Sequence, residues 1–268
     1  MRLFVSGLRK LARRPATYVT FGLLAGLLAL IIVAVAASGG RGQGGAARAD
    51  PLAIVTFPGA YDLILSFILG LGGLFSVVYG AAIAGSEWTW GTLKTVVARG
   101  ESRSRYLLST FAAIALVLAI GLLITFLIGV VAAALSATIA GIGLDGIGDA
   151  DTLTALPENF ARGWVAITAT AALGFAVATL ARSQLAGIGV GIAFYFGETF
   201  AGIFLPDVVK YMPFHLANTA VGGGSDGFGA PPDPGALTAD TALVLVTVWL
   251  VGSLVVAAAF SERAEITG

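Results

Sequence analysis

The sequence predicts an all-α integral membrane protein with six transmembrane helices and both ends in the cytoplasm. Three observations predict it: an apolar composition, six long apolar segments and an uneven distribution of basic residues. Of 268 residues, 57% are hydrophobic and only 11% are charged, against about 25% charged in an ordinary soluble domain. With a mean hydropathy of +0.94, most of the surface must face something other than water. The formal net charge is zero, which says nothing about acidic or nucleic-acid partners; no nucleic acid is expected. The absence of cysteine excludes disulfides and thiolate metal sites.

A spanning helix needs about 20 apolar residues to cross roughly 30 Å of hydrocarbon. Residues 16–37, 61–84, 107–135, 163–181, 185–205 and 241–260 meet that test. The third is long enough to tilt or to project beyond the bilayer. The first is too long in its apolar core for a cleavable signal peptide. The whole chain, 1–268, reads as one transmembrane domain.

Orientation follows from the arginines and lysines. Arg2, Arg9, Lys10, Arg13 and Arg14 precede the first span, and Lys94, Arg99, Arg103 and Arg105 separate the second and third. Arg182 and Arg263 complete eleven basic residues on one side, against four (Arg41, Arg48, Arg162 and Lys210) on the other. The rich side is expected to be cytoplasmic. Arginine outnumbers lysine twelve to three, a bias associated with GC-rich bacterial genomes, so the expected location is a bacterial plasma membrane.

Residues 1–14 segregate into two faces at 100° per residue. Leu3, Phe4, Val5, Gly7, Leu8 and Leu11 fall on one, and Arg2, Ser6, Arg9, Lys10 and Arg13 on the other. The pattern predicts an interfacial helix with its basic face toward anionic headgroups. Pro15 then permits a sharp turn into the first span.

The connection 85–106 is the most informative stretch. Thr92 is a candidate N-cap, 93–99 fits two helical turns, and Gly100 is a candidate stop. Leu93, Val96 and Val97 share one apolar face. So short a helix is unstable alone, so that face needs cover. Two readings stand: a separate cytoplasmic subunit covers it, or the chain's own helix ends do.

An amphipathic N-terminal helix, six spans, and a connection reading Glu-x3-Gly-Thr-Leu-Lys followed by Gly-x-Ser-Arg-x-Arg-Tyr-Leu-Leu resemble the type-2 ABC (ATP-binding cassette) exporter permease family. The matched positions are Glu87, Gly91, Thr92, Leu93 and Lys94, then Gly100, Ser102, Arg103, Arg105, Tyr106, Leu107 and Leu108. The family often has a lysine where Thr110 stands and a proline where Gly100 stands. The resemblance implies that this connection is a coupling helix docking into a cytoplasmic P-loop ATPase subunit, present in two copies. Coupling would fall to Glu87, Gly91, Thr92, Leu93, Lys94, Val96, Val97, Arg99 and Arg103. It further implies a second permease copy or a homologous permease, with the second and fifth spans lining the path. ATP and Mg²⁺ would bind on the partner, and this chain would need no cofactor. The resemblance also implies short re-entrant helices lidding the exit between the fifth and sixth spans. Residues 206–219 are too apolar for a free loop and too short to span, and Pro206 and Pro213 break them into pieces. Residues 222–235, rich in glycine and proline, read as a linker, so that 206–239 form lid and linker together.

Other chemistry is sparse. No Gly-x4-Gly-Lys-Ser/Thr loop occurs, so ATP is not expected to bind here in the P-loop manner. Gly141-Ile-Gly-Leu-Asp-Gly146 has dinucleotide-binding spacing but no βαβ context. His215 has no neighbouring ligand set and is expected to contact the re-entrant segment. Asp145, Asp149 and Asp151 read as a solvated acidic loop. Gly22-x3-Gly26 and Gly187-x3-Gly191 would let helices approach closely, within the chain or between subunits. The anomaly is Glu198, seven residues before Leu205 in the fifth span, on the order of 10 Å deep. It should face the bundle interior or water. Phe194 and Phe200 beside it suggest an amphipathic or lipid-like cargo. Glu198, Phe194 and Phe200 are the candidate pathway residues, with a purely structural glutamate as the other reading.

The function expected is therefore the membrane permease subunit of an ATP-driven exporter, with no catalytic residues of its own. An ATP-independent secondary transporter or channel would show several intramembrane charges and often an internal repeat. A membrane-bound enzyme would show clustered catalytic residues. Neither pattern stands out.

Overall fold

The computed structural model describes residues 2–39, 56–98, 100–222 and 237–263. Most of the 222–235 linker and Arg99 lie outside them, as do the side chains of Lys94 and Val97. Ten α-helices occur among the described residues: α1 Arg2–Ala12, α2 Pro15–Gly39, α3 Gly59–Thr89, α4 Thr92–Ala98, α5 Arg103–Ile139, α6 Ala150–Ala181, α7 Gln184–Phe204, α8 Pro206–Val209, α9 Pro213–Thr219 and α10 Ala239–Arg263. Helices α2, α3, α5, α6, α7 and α10 are long and apolar enough to cross a membrane. The chain is a multi-pass, all-α membrane protein. At 37 residues α5 is about 55 Å long, so it overshoots a hydrocarbon layer of roughly 30 Å even at a tilt of about 40°.

Helix α6 starts thirteen residues before the apolar segment expected from hydropathy. Asp151, Glu158 and Arg162 end the apolar window but do not end a helix, and Pro157 is accommodated inside it. Asp149 is not simply a solvated acid. It caps α6, its carboxylate accepting from the Thr152 amide at 3.0 Å and the Thr152 hydroxyl at 2.5 Å. Those bonds hold its carboxyl below the usual carboxylate range.

Helices α3 and α6 form the centre of the bundle and make its most extensive pairing. The two are locked by reciprocal glycines. A side-chain carbon on Gly80 would overlap the Ala171 carbonyl oxygen, and one on Gly174 would overlap the Val77 carbonyl oxygen. Backbone meets backbone there, as expected where helices associate by close packing rather than by escape from water. Next to this contact the Ser76 and Thr170 hydroxyls lie 2.6 Å apart. Of the two glycine pairs singled out in the sequence, Gly187 packs on Ala178 and Gly191 on Val77, within the chain, whereas a side-chain carbon on Gly22 or Gly26 would meet nothing within 4 Å. Helix α2 lies on α5, α7 on α3 and α6, and α10 on α6 and α5.

Helix α1 forms as predicted, and its apolar side seats on α5. Leu11 is fully buried, and a side-chain carbon on Gly7 would stand 3.3 Å from Ala113 Cβ. Val5, assigned to the same apolar face, is 44% exposed. Arg9 and Arg13 remain on the outside, but Lys10 does not share their face, for the reason that follows.

Candidate functional site

The ends of α1, α3, α5 and α10, the short helix α4 and the α6–α7 turn converge on one face of the bundle. The α3–α5 connection is shaped by backbone needs that its sequence meets residue by residue. Gly91 has φ 64° and Gly100 has φ 81°, the left-handed region where a side chain is strained. The first turns the chain out of α3, the second out of α4. The Glu101 amide donates back to the Val96 carbonyl at 3.4 Å, closing the end of α4 as a glycine C′ allows. Thr92 is the first helical residue rather than the cap, since the Gly91 carbonyl already accepts from the Thr95 amide. Ser102 caps α5, its hydroxyl accepting from the Arg105 amide at 3.3 Å.

Glu87, two residues before the end of α3, is completely buried. Its Oε1 lies 2.5 Å from Lys10 Nζ and 3.2 Å from an Arg14 guanidinium nitrogen. Its Oε2 accepts from Lys10 Nζ at 2.7 Å and from the Tyr106 hydroxyl at 2.7 Å. Arg14 also donates to the Ser86 hydroxyl at 2.8 Å and stands over the Trp90 ring, 4.7 Å from its centre. A buried carboxylate is tolerable only when paired and hydrogen-bonded, and here four bonds satisfy it. The arrangement pins α1 and the start of α5 to the end of α3, directly beside α4.

The remaining residues expected to couple divide into groups. Leu93 is 2% exposed and belongs to the chain's own core, with Val96 partly buried against it. For Leu93 the second of the two readings holds: the ends of α3 and α5 cover it, because the two glycine turns fold α4 back onto them. Among the described side chains of α4, those of Thr95 and Ala98 are left outside, with Trp90 66% exposed just before the helix. Arg103 joins the opposite strand of contacts, donating to the Ser261 carbonyl at 3.2 Å near the end of α10, while Ser104 bonds Glu262 through its amide at 3.0 Å and its hydroxyl at 2.6 Å. Lys10 and Arg14 were missed by sequence reasoning, which assigned the basic residues before the first span to topology and headgroups. The usable signal was Glu87 itself: a carboxylate at the end of an apolar span needs a cation, and the N-terminal segment supplies Lys10 and Arg14.

On the other face, Pro206 and Pro213 each open a short helix, α8 and α9, at the first helical position, where a missing amide costs nothing. Glu198 on α7 is 7% exposed. Its carboxylate accepts from the Phe214 amide at 3.3 Å and closely from the His215 amide. It thus caps the start of α9 from a neighbouring helix, as negative charge at a helix N-terminus should. Phe214 sits against Tyr195 at 5.0 Å and Phe194 at 6.4 Å between ring centres, and a side-chain carbon on Gly73 would touch its ring. The Trp249 indole donates to the Tyr211 carbonyl at 3.1 Å, and Arg162 binds Asp240 at 2.6 Å and Glu158 at 2.8 Å. Glu198 and Phe194 are therefore engaged with α9, while Phe200 is 65% exposed on the outer side of α7.

A family model described as a protein of unknown function (DUF2705) matches residues 30–263. No curated protein matches the chain.

Proposed function

This chain belongs to the DUF2705 family of proteins of unknown function, and we propose that it is the membrane permease subunit of an ATP-driven exporter, working as a dimer with separate cytoplasmic ATPase subunits. The observation that carries the reading is the Glu87 joint. A two-turn helix lies beside the joint where a buried carboxylate at the end of α3 ties together the N-terminal segment and the next span. A helix serving only to connect α3 and α5 would not need a paired buried charge behind it. A helix that receives force from outside does, since rigid attachment is what converts its displacement into movement of α3 and α5. Glu87 acts as a positioning residue here, and Trp90, Thr95 and Ala98 form the contact surface. Glu198 and Phe194 hold the lid, α8 and α9, over one end of the central helices, so lid release accompanies opening on that side. The aromatic residues around Glu198 favour an amphipathic cargo.

The test uses the natural absence of cysteine. A photocrosslinker on Thr95→Cys or Ala98→Cys, in membranes of the native organism, is expected to trap a polypeptide that an azido-ATP probe also labels. The same crosslinker on Leu135→Cys, 60% exposed on α5, is expected to trap none. Products from Thr95 and Ala98 that never bind nucleotide would remove the reading.

A further inference from the structure

Arg182 ends α6 with φ 51° and ψ 29°, and it is the one non-glycine residue with positive φ among the described residues. That region crowds Cβ against the backbone and suits glycine or asparagine at a helix end. An arginine here carries a backbone penalty that glycine would avoid. Its guanidinium carbon stands 5.5 Å from the centre of the Trp88 ring and 5.5 Å from that of Phe260, both within cation–π range. Trp88 follows Glu87 on α3, and Phe260 lies in the last turn of α10. The turn that carries Arg182 is also pressed onto α3: a side-chain carbon on Gly85 would overlap the backbone of Gln184. Ser183 then starts α7, its hydroxyl accepting from the Ala186 amide at 3.3 Å.

We infer that Arg182 is a positioning residue that locks the α6–α7 turn and the end of α10 to the end of α3 through the rings of Trp88 and Phe260. The end of α3 is then held by two devices: the Glu87 ion cluster fastens α1 and α5 to it, and Arg182 fastens α6, α7 and α10. The consequence for transport, that a push on α4 carries α6 and α7 along, rests on the proposed coupling role. The lock itself does not.

The experiment reads the lock in the full chain alone, in lipid nanodiscs. Spin labels on Thr89→Cys and Leu185→Cys, both exposed, report the distance between the end of α3 and the start of α7. With Arg182 present, one narrow distance is expected. Arg182→Gly removes both ring contacts and the backbone penalty. It is expected to raise the population of a second, longer distance roughly tenfold while leaving the thermal midpoint unchanged or higher. Arg182→Lys, which keeps a cation, is expected to return most molecules to the narrow distance. An unchanged single distance in Arg182→Gly, whatever its thermal midpoint, overturns the lock, and so does a second distance equally populated in Arg182→Lys. No ATPase enters the measurement, so a lock that holds in a chain whose α4 binds no ATPase would sink the coupling reading alone.

Discussion

The Tyr106 hydroxyl donates to the Glu87 carboxylate at 2.7 Å across nineteen residues of sequence, and the α4 connection lies between them. The two residues clasp the base of a loop whose turns are set by Gly91 and Gly100. This relationship gives the motif positions Glu87, Gly91, Leu93, Gly100, Ser102 and Tyr106 a common purpose. Each holds the shape of the connection, whatever touches its outside.

Removing the charge at Glu87 leaves Lys10 and Arg14 facing a buried amide. Glu87→Gln is expected to lower stability by about 3 kcal/mol, in the range for breaking one side of a buried ion pair. Tyr106→Phe, which removes one bond to the charged group, should cost about 1.5 kcal/mol. Thermal unfolding of the detergent-purified chain compares them. A Glu87→Gln variant no weaker than Tyr106→Phe would show that the cations do not depend on the carboxylate.

Leu93 and Ala98 separate the shape of α4 from its contact surface. Leu93→Ala is expected to destabilise the chain by about 2–3 kcal/mol, because it opens a cavity in the chain's own core. Ala98→Glu changes only an exposed position and should leave the midpoint within about 0.5 kcal/mol of wild type, yet it should abolish recovery of a nucleotide-binding partner. Normal recovery with Ala98→Glu and Thr95→Glu together would place any docking surface elsewhere.

Glu198 distinguishes a cap from a pathway charge. Glu198→Gln retains an acceptor oxygen for the Phe214 and His215 amides, so a loss of about 1 kcal/mol is expected; Glu198→Leu strands both amides and should cost about 2–3 kcal/mol. Hydrogen exchange at the start of α9 is the direct readout, with protection falling slightly in the first variant and strongly in the second. Equal protection in both would mean that the carboxylate does not hold α9.

Gly174→Ala and Gly80→Ala force a methyl group into a carbonyl oxygen of the facing helix and should separate α3 from α6. The expected cost is about 3 kcal/mol or failure to assemble, at the upper end of overpacking effects. Gly22→Ala and Gly26→Ala, with open space around them, should be silent or slightly stabilising in helix propensity. Fluorescence-detected size exclusion after graded heating ranks all four. Equal behaviour of the two pairs would contradict the packing of α3 on α6.

Six spans, an amphipathic first helix, a stop at Gly100 and short pieces opening at Pro206 and Pro213 were all decided by the sequence alone. The reason is that each depends on a local property: about 20 apolar residues for a span, or a backbone that only glycine or proline suits. Tertiary structure alone decided that Glu87 meets Lys10 at a separation of 77 residues, that Leu93 is covered by its own chain, and that Glu198 caps α9. It also decided that Gly80 and Gly174 touch a facing helix while Gly22 and Gly26 do not. A spanning helix apolar on every side has no polar face to fix its rotation, and apolar side chains gain no hydrophobic free energy by leaving lipid for a neighbouring helix. Which face turns inward is settled by where backbones can approach and where buried charges find partners. Those are pairings between distant residues, which no window along the chain contains.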